Sequence, residues 1–271
     1  MERILLENGI VITVDDNNTL YRKGYVLVEG SRIAAIGAGN YPGERASLTV
    51  VDAAGKAILP GIVDAHTHVA GSLFKGLLED DPNGFYGFAL PMEGQLTPGD
   101  VYHLSLLGAW ECMQGGVTTI NEIYHYVLSV AKAVDEIGLR AVISQNIVDV
   151  DIGALRHNDY TRHPAMGDAF LEDNIRLLET YHGKDGGRIT CRVGPHATDT
   201  VSFELAQKCA ALGEKYGVGF HTHVAQSERE VALVRESYGL TPVDFLKETG
   251  LLGKNLVGAH CIYTTGSDIK L

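Results

Sequence analysis

Ala57-Ile58-Leu59-Pro60-Gly61-Ile62-Val63-Asp64-Ala65-His66-Thr67-His68 is an apolar run that closes on two histidines one residue apart. Side chains i and i+2 of a strand share a face, so His66 and His68 reach the same point, with Asp64 one pair deeper. Two converging imidazoles suit a divalent cation, which as zinc would sit about 2.0–2.1 Å from each nitrogen. Taken alone, an H-x-H pair also arises by chance in surface loops. The pattern on either side of it decides.

Before this run the chain reads as short β-rich segments: Ile4-Leu5-Leu6, Val11-Ile12-Thr13-Val14, Tyr25-Val26-Leu27-Val28 and Arg32-Ile33-Ala34-Ala35-Ile36. Asn8-Gly9, Asp15-Asp16-Asn17-Asn18, Glu29-Gly30 and Gly37-Ala38-Gly39 punctuate them as turns, which predicts a small antiparallel sheet unit over residues 1–56. After Pro60-Gly61 the rhythm becomes apolar strand, polar loop, amphipathic helix. Strands are expected over 57–63, 118–123, 140–147, 188–194, 217–221 and 255–260. The clearest helix is 203–216, where Leu205, Cys209, Leu212 and Tyr216 recur at helical spacing. Alternating strands and helices predict an α/β fold with a parallel sheet.

Residues 57–271 therefore read as a (β/α)₈ TIM barrel carrying strands one to six, with residues 1–56 as the N-terminal portion of a small β-sandwich. A full barrel needs eight strands, so the expectation is an incomplete barrel in a C-terminally truncated chain, a fragment. Thr264-Thr265-Gly266-Ser267 would then open the sixth helix, with Thr265 or Ser267 as N-cap. The rival is an open doubly wound sheet complete at six strands.

Histidine recurs where these strands end. His196 follows the fourth in Gly194-Pro195-His196-Ala197, His221 and His223 close the fifth, and His260 closes the sixth in Gly258-Ala259-His260-Cys261. In a parallel barrel all carboxyl ends of strands meet at one mouth, where active sites lie. A lone strand-end histidine is usually a hydrogen-bonded core residue. A series of them at successive strand ends reverses that expectation.

These pieces, with Glu111 and Gly116-Val117-Thr118-Thr119 between them, resemble the amidohydrolase superfamily. The resemblance is to the branch of chlorotriazine hydrolases, guanine deaminase and the S-adenosylhomocysteine/methylthioadenosine deaminases. It implies that His66, His68 and His223 are ligands of one divalent metal ion, zinc ahead of iron(II), with the fourth ligand an Asp after strand eight, beyond Leu271. It implies that His196 holds the substrate and His260 orients or polarises the attacking water. His221 is left as a structural residue supporting the site. Metal coordination lowers the pKa of water from ~15.7 towards ~7, so the expected reaction is hydrolysis of a non-peptide C–N bond, deaminating a small heterocycle.

Two residue patterns depart from the family. Deaminases of this branch carry a Glu three residues after the strand-five ligand to move the proton, and Gln226 stands there. An amide orients a substrate but does not shuttle protons near neutral pH. Glu228 and Glu230 follow in the first turn of the next helix, where acidic residues are commonplace. The alternatives are therefore a catalytically impaired metal- or ligand-binding relative, or a hydrolase of the C–Cl type. The second departure is Pro82-Asn83-Gly84-Phe85-Tyr86-Gly87-Phe88, which lacks the acidic residue and Trp-Leu pair of nucleoside-type members. Phe85, Tyr86 and Phe88 offer a flat wall for a heterocycle or pack the loop down.

Composition bounds the rest. A 45% hydrophobic, 21% charged chain of 271 residues with net charge −12 suits a globular enzyme and no nucleic-acid surface. Cys112, Cys191, Cys209 and Cys261 form no C-x-x-C pair and suit reduced thiols in a cytoplasm. No stretch approaches the roughly 18–20 apolar residues of a membrane span. A small-molecule heterocyclic substrate is the expected partner, with neither nucleic acid nor membrane, and a homo-oligomer is left open.

Overall fold

The Asn8-Gly9 and Gly30 turns fold the first segments back on one another, in the structure, a computed structural model that describes residues 2–78, 80–81 and 83–271. Pro82 of the aromatic loop lies outside the described residues. Strands β1 (Arg3–Ile12), β2 (Leu20–Glu29), β3 (Arg32–Ala38), β4 (Thr49–Asp52) and β5 (Ala57–Ile58) form one sheet. β1 pairs antiparallel with β2 and parallel with β4 and β5, while β2 pairs antiparallel with β3. Alternation is clear in β1, where Leu5, Glu7, Gly9 and Val11 turn inward. This unit ends at Ile62; a second runs over Val63–Leu271.

The first strand of the second sheet begins later than its apolar run suggests. Ala57 and Ile58 pair with Ile10 and Val11 in the first sheet. Pro60, without an N–H, interrupts the ladder, and β6 starts afresh at Ile62 and runs to Thr67. β6, β7 (Val117–Tyr124), β8 (Arg140–Gln145) and β9 (Ile189–Cys191) lie side by side in sequence order. β7, β8 and β9 are parallel. Parallel bridges from Val193 to Phe220 and from Ala197 to His223 carry the order on to β10 (Phe220–Val224), which pairs parallel with β11 (Leu256–His260). All five residues of β10 are buried, as a strand covered on both faces requires.

Helices α1 (Leu90–Glu93), α2 (Pro98–Gln114), α3 (Val127–Ile137), α4 (Pro164–Tyr181), α5 (Lys184–Gly187), α6 (Phe203–Tyr216), α7 (Glu228–Tyr238) and α8 (Pro242–Glu248) fill the connections. Their ends are written locally. Thr97 and Asp100 cap α2 reciprocally, and Ser202, Ser227 and Thr241 accept N–H bonds at the starts of α6, α7 and α8. Thr265 and Asp268 bond reciprocally in the same way, with Asp268–Lys270 as a short 3₁₀ turn. Gly217 ends α6 at φ 66°, a left-handed cap that a Cβ disfavours. Because Gly217 belongs to that cap, β10 starts at Phe220 and not at 217, and His223 lies within the strand.

The core lies between helices and strands: Val130, Ala131 and Val134 of α3, Leu177 of α4 and Ala206 and Cys209 of α6 are buried with Ile120, Ile143 and Ile189. Gly108 of α2 permits a close approach: a Cβ there would stand 2.0 Å from the Val69 carbonyl oxygen. The segment after His68 is thereby seated directly on the helix. Among the described residues no helix is long and apolar enough to cross a membrane.

Candidate active site

His66 on β6, His68 just past its end, His221 and His223 on β10, His196 after β9 and His260 at the end of β11 converge at one end of these strands. Ring centroids of His66 lie 4.9 Å from His68, 4.9 Å from His223 and 5.2 Å from His260. His196 and His223 are 4.8 Å apart. One ligand nitrogen each from His66, His223 and His260 falls within 4.8 Å of the others. The Nε2 atoms of His68 and His223 are 3.2 Å apart. The rings of His66, His68 and His223 lie close together, but the ligand nitrogens that share one reach are those of His66, His223 and His260, with His68 set against His223.

Hydrogen bonds from the far side of each ring assign the tautomers. His68 Nδ1 lies 2.6 Å from the Ile123 carbonyl oxygen, and His223 Nδ1 lies 2.7 Å from that of His196. Only an N–H can satisfy a carbonyl, so both Nδ1 atoms carry the proton and both Nε2 atoms present lone pairs. His66 Nδ1 lies 2.9 Å from His221 Nε2, and His221 Nδ1 lies 3.5 Å from Ser144 Oγ, which donates to the Glu122 carbonyl at 3.0 Å. His221 thus lies behind His66 and meets the cluster through its contact with the His66 ring. Asp64 accepts the His66 backbone N–H at 3.3 Å.

Burial keeps these rings neutral. It holds His66, with help from His68 and His260, down at about 3, and His221, with help from His66, at about 3. Burial also lowers His68 and His260 and puts His196 and His223 well below the usual imidazole range. At pH 7 the cluster is a set of lone-pair donors.

The backbone at the site is strained. Ala225, His260 and Cys261 adopt φ of 49°, 76° and 54°, left-handed values that side chains disfavour. Cys261 N–H to the Val224 carbonyl at 3.0 Å and Tyr263 N–H to that of Ala225 at 2.9 Å hold the two strand ends together. Each such residue costs on the order of 1–3 kcal/mol, a cost met mostly at functional sites.

Beside the imidazoles opens a cavity of about 530 Å³. His66, His68, His196, His223 and His260 line one side, with Gln226, Phe85, Tyr86, Tyr124 and Glu93 around it. Of the expected aromatic wall, Phe85 and Tyr86 face the cavity and Phe88 does not line it. Tyr86 is anchored: its hydroxyl lies 3.1 Å from Ser227 Oγ, and the Arg229 guanidinium stands 4.3 Å above its ring. Glu228 is exposed. Glu230 is buried but turned to the backbone, accepting from Thr198 Oγ1, Ala225 N and Gln226 N at 2.5, 3.1 and 2.7 Å. It fixes the loop that presents Gln226 and contributes no carboxylate to the cavity.

Residues 57–271 match the model of the amidohydrolase family. The chain belongs to the amidohydrolase family. It is 32% identical over its whole length to a 5-methylthioadenosine/S-adenosylhomocysteine deaminase of Symbiobacterium thermophilum, covering 60% of that protein. It is 37% identical over 92% of its length to a 5'-deoxyadenosine deaminase of Methanothermobacter thermautotrophicus, covering 56% of it. The chain thus spans somewhat more than half the length of these relatives. Atrazine chlorohydrolase of Arthrobacter aurescens TC1, solved with zinc, superposes over 98% of the chain and 62% of its own at TM-score 0.83 and 21% identity. Guanine deaminase of C. acetobutylicum superposes over 99% and 65% at TM-score 0.84 and 17% identity. These likenesses give the second unit a (β/α)₈-like α/β fold.

Within this amidohydrolase-family site, Glu93, Tyr124, His125 and Glu122 escape sequence reasoning, since none stands in a repeated spacing and Glu93 sits on a one-turn helix. Glu122 is wholly buried, pushed up to about 8 chiefly by burial, and accepts the Val69 N–H at 2.8 Å. Glu93 and His125 stand 3.8 Å apart, but burial pushes the first up to about 7 and the second down to about 4. At neutral pH the imidazole is uncharged and the contact is not an ion pair.

His125 carries a pH prediction. Its folded pKa lies below the unfolded value near 6.5, so its contribution to stability is present above pH 6.5 and is lost as pH falls towards 4. Denaturant unfolding at pH 7 and 4.5 should show His125→Phe losing about 2 kcal/mol less than the parent. Equal losses in both proteins would show that His125 is not held neutral in the fold.

Proposed function

We propose that this protein is a metal-dependent hydrolase that deaminates a heterocyclic small molecule, with one divalent ion, zinc before iron(II), held by His66, His68 and His223. β6 to β11 are read as six strands of a (β/α)₈ barrel, and the first sheet as part of a β-sandwich. The observation that carries the reading is the facing pair of Nε2 lone pairs on His68 and His223, 3.2 Å apart with no proton between them. Two acceptors so close repel unless a cation lies between or beside them. A neutral all-imidazole donor set fits zinc or iron(II). The relatives named as 5-methylthioadenosine/S-adenosylhomocysteine and 5'-deoxyadenosine deaminases support the same chemistry.

When bound, such an ion lowers the pKa of its water towards ~7 and supplies a nucleophile at neutral pH. The chain's own residues do the rest. His196, buried with Nδ1 2.7 Å from Thr200 Oγ1, turns its other nitrogen to hold the substrate. His260 orients the attacking water from the end of β11. Gln226 hydrogen-bonds the ring through its amide and carries no proton, while Phe85 and Tyr86 cover one face of the heterocycle.

Gln226 also favours a second reading. The amino group must gain a proton to depart as ammonia, whereas chloride departs as an anion and needs no proton donor, so a C–Cl hydrolase works with Gln226 as it stands. The test is to strip the protein with chelator, restore it with zinc, and follow ammonia from 5'-deoxyadenosine and methylthioadenosine and chloride from atrazine. Zinc-dependent ammonia release is expected. Chloride release alone selects the second reading, and a zinc-loaded protein releasing neither overturns the hydrolase assignment.

A further inference from the structure

Arg229 stands outside the cavity of the imidazole cluster, yet the aromatic wall of that cavity rests on it. It lies in the first turn of α7, where a cation works against the helix macrodipole, so its side chain is held there by what it meets. Its guanidinium lies over two rings, 4.3 Å from the centroid of Tyr86 and 5.1 Å from that of Tyr160. One N–H goes on to the Leu155 carbonyl oxygen at 2.6 Å. Nε is buried and, among the described residues, has no hydrogen-bond partner, so stacking on the rings carries much of the hold. Tyr160 is itself fixed, its hydroxyl donating to the buried Asp199 carboxylate at 3.2 Å. One side chain thus ties together three connections: Tyr86 follows β6, Leu155 and Tyr160 follow β8, and Arg229 follows β10. Tyr86 reaches the same helix start again through Ser227, its hydroxyl 3.1 Å from Oγ.

We propose that Arg229 is a positioning residue that clamps Tyr86 in the cavity wall, so that the ring stands in place before a substrate arrives. Ordering a loop at the moment of binding costs affinity, and a wall held in advance avoids that cost. Arg229 meets no reacting atom, so its effect falls on substrate binding and not on the chemical step. The kinetic consequence rests on the hydrolase reading. The clamp itself is read without a substrate.

The test has two arms. In the first, chymotrypsin cuts the substrate-free protein and the cuts are mapped by mass. Arg229→Ala should speed cleavage after Phe85, Tyr86 and Phe88 by roughly tenfold, the scale of one partly buried cation–π contact, with cleavage elsewhere unchanged. In the second arm the zinc-loaded protein acts on 5'-deoxyadenosine, and the same variant should raise KM roughly tenfold with kcat within about twofold of the parent. Arg229→Lys keeps the charge but not the plane that stacks, and should follow the alanine variant in both arms. The double variant Tyr86→Leu/Arg229→Ala should have the KM of Tyr86→Leu alone, because the arginine then has no ring at position 86 to hold. Protection and KM fully kept in Arg229→Lys would show that charge alone matters, and losses that multiply in the double variant would show that Arg229 acts through the fold at large. Either result overturns the inference, as does cleavage that rises at every site or at none. Should Arg229→Ala fail to fold, Arg229→Lys decides by the same criteria. If the zinc-loaded parent turns over nothing, the hydrolase reading falls and the protease arm alone decides the clamp.

Discussion

Gln226→Glu should raise ammonia release from an adenosine-type substrate by about 10²–10⁴-fold, the usual contribution of a positioned general acid–base. The geometry favours a clean gain. Gln226 already lines the cavity beside the imidazoles, its backbone N–H is fixed to Glu230 Oε2 at 2.7 Å, and glutamate has the same length. The amide becomes a carboxyl that can take and return a proton. Zinc content and melting temperature serve as controls, since the substitution touches no imidazole of the cluster. Steady-state kinetics on 5'-deoxyadenosine would measure the ratio. If parent and variant release ammonia at the same rate, the proton travels by another group and the amide at position 226 is not what limits deamination. If the variant gains ammonia release while losing chloride release from atrazine, the natural amide has been selecting the leaving group.

The part of this site legible in the sequence is the part that strand geometry dictates. His66 and His68, and again His221 and His223, are i and i+2 on strands, so their convergence follows from pleating and parallel order. Gln226 is legible as a departure because the family resemblance implies a Glu three residues after His223. Strand limits were less so. Ala57 and Ile58 are apolar enough for either sheet, and the missing N–H of Pro60, more than hydrophobicity, decides that they end the first. Gly217 looks like the opening of β10 by composition and is instead the left-handed close of α6.

Glu93 and His125 were illegible for a different reason. Their environment comes from α1, β7 and the loops after β8 meeting in space, and a sequence carries no periodicity for burial produced by such a meeting. The division of labour between His68 and His260 is of the same kind. The family resemblance puts His68 in the ligand trio and His260 beside the water, whereas ligand-atom distances group His260 with His66 and His223 and leave His68 against His223.

His223→Ala should weaken zinc binding by more than about 100-fold, because loss of an outer partner alone typically costs 10–100-fold. His223 is central: its ring lies within 5.4 Å, centroid to centroid, of His66, His68, His196 and His260. Removing it also takes away the Nε2 that faces His68 and the Nδ1 bond to the His196 carbonyl. His221→Ala removes only the outer partner of His66 and should fall within that 10–100-fold range, and His103→Ala, exposed on α2, should change nothing. Competition with a chromophoric chelator reads these affinities, and zinc should raise the melting temperature of the parent but not of His223→Ala. Burial already keeps the imidazoles unprotonated, so few protons need leave when zinc enters at pH 6.5, and the affinity should change little between pH 8 and 6.5. A His223→Ala protein that holds zinc as tightly as the parent would place the ion elsewhere and remove the basis for the hydrolytic chemistry.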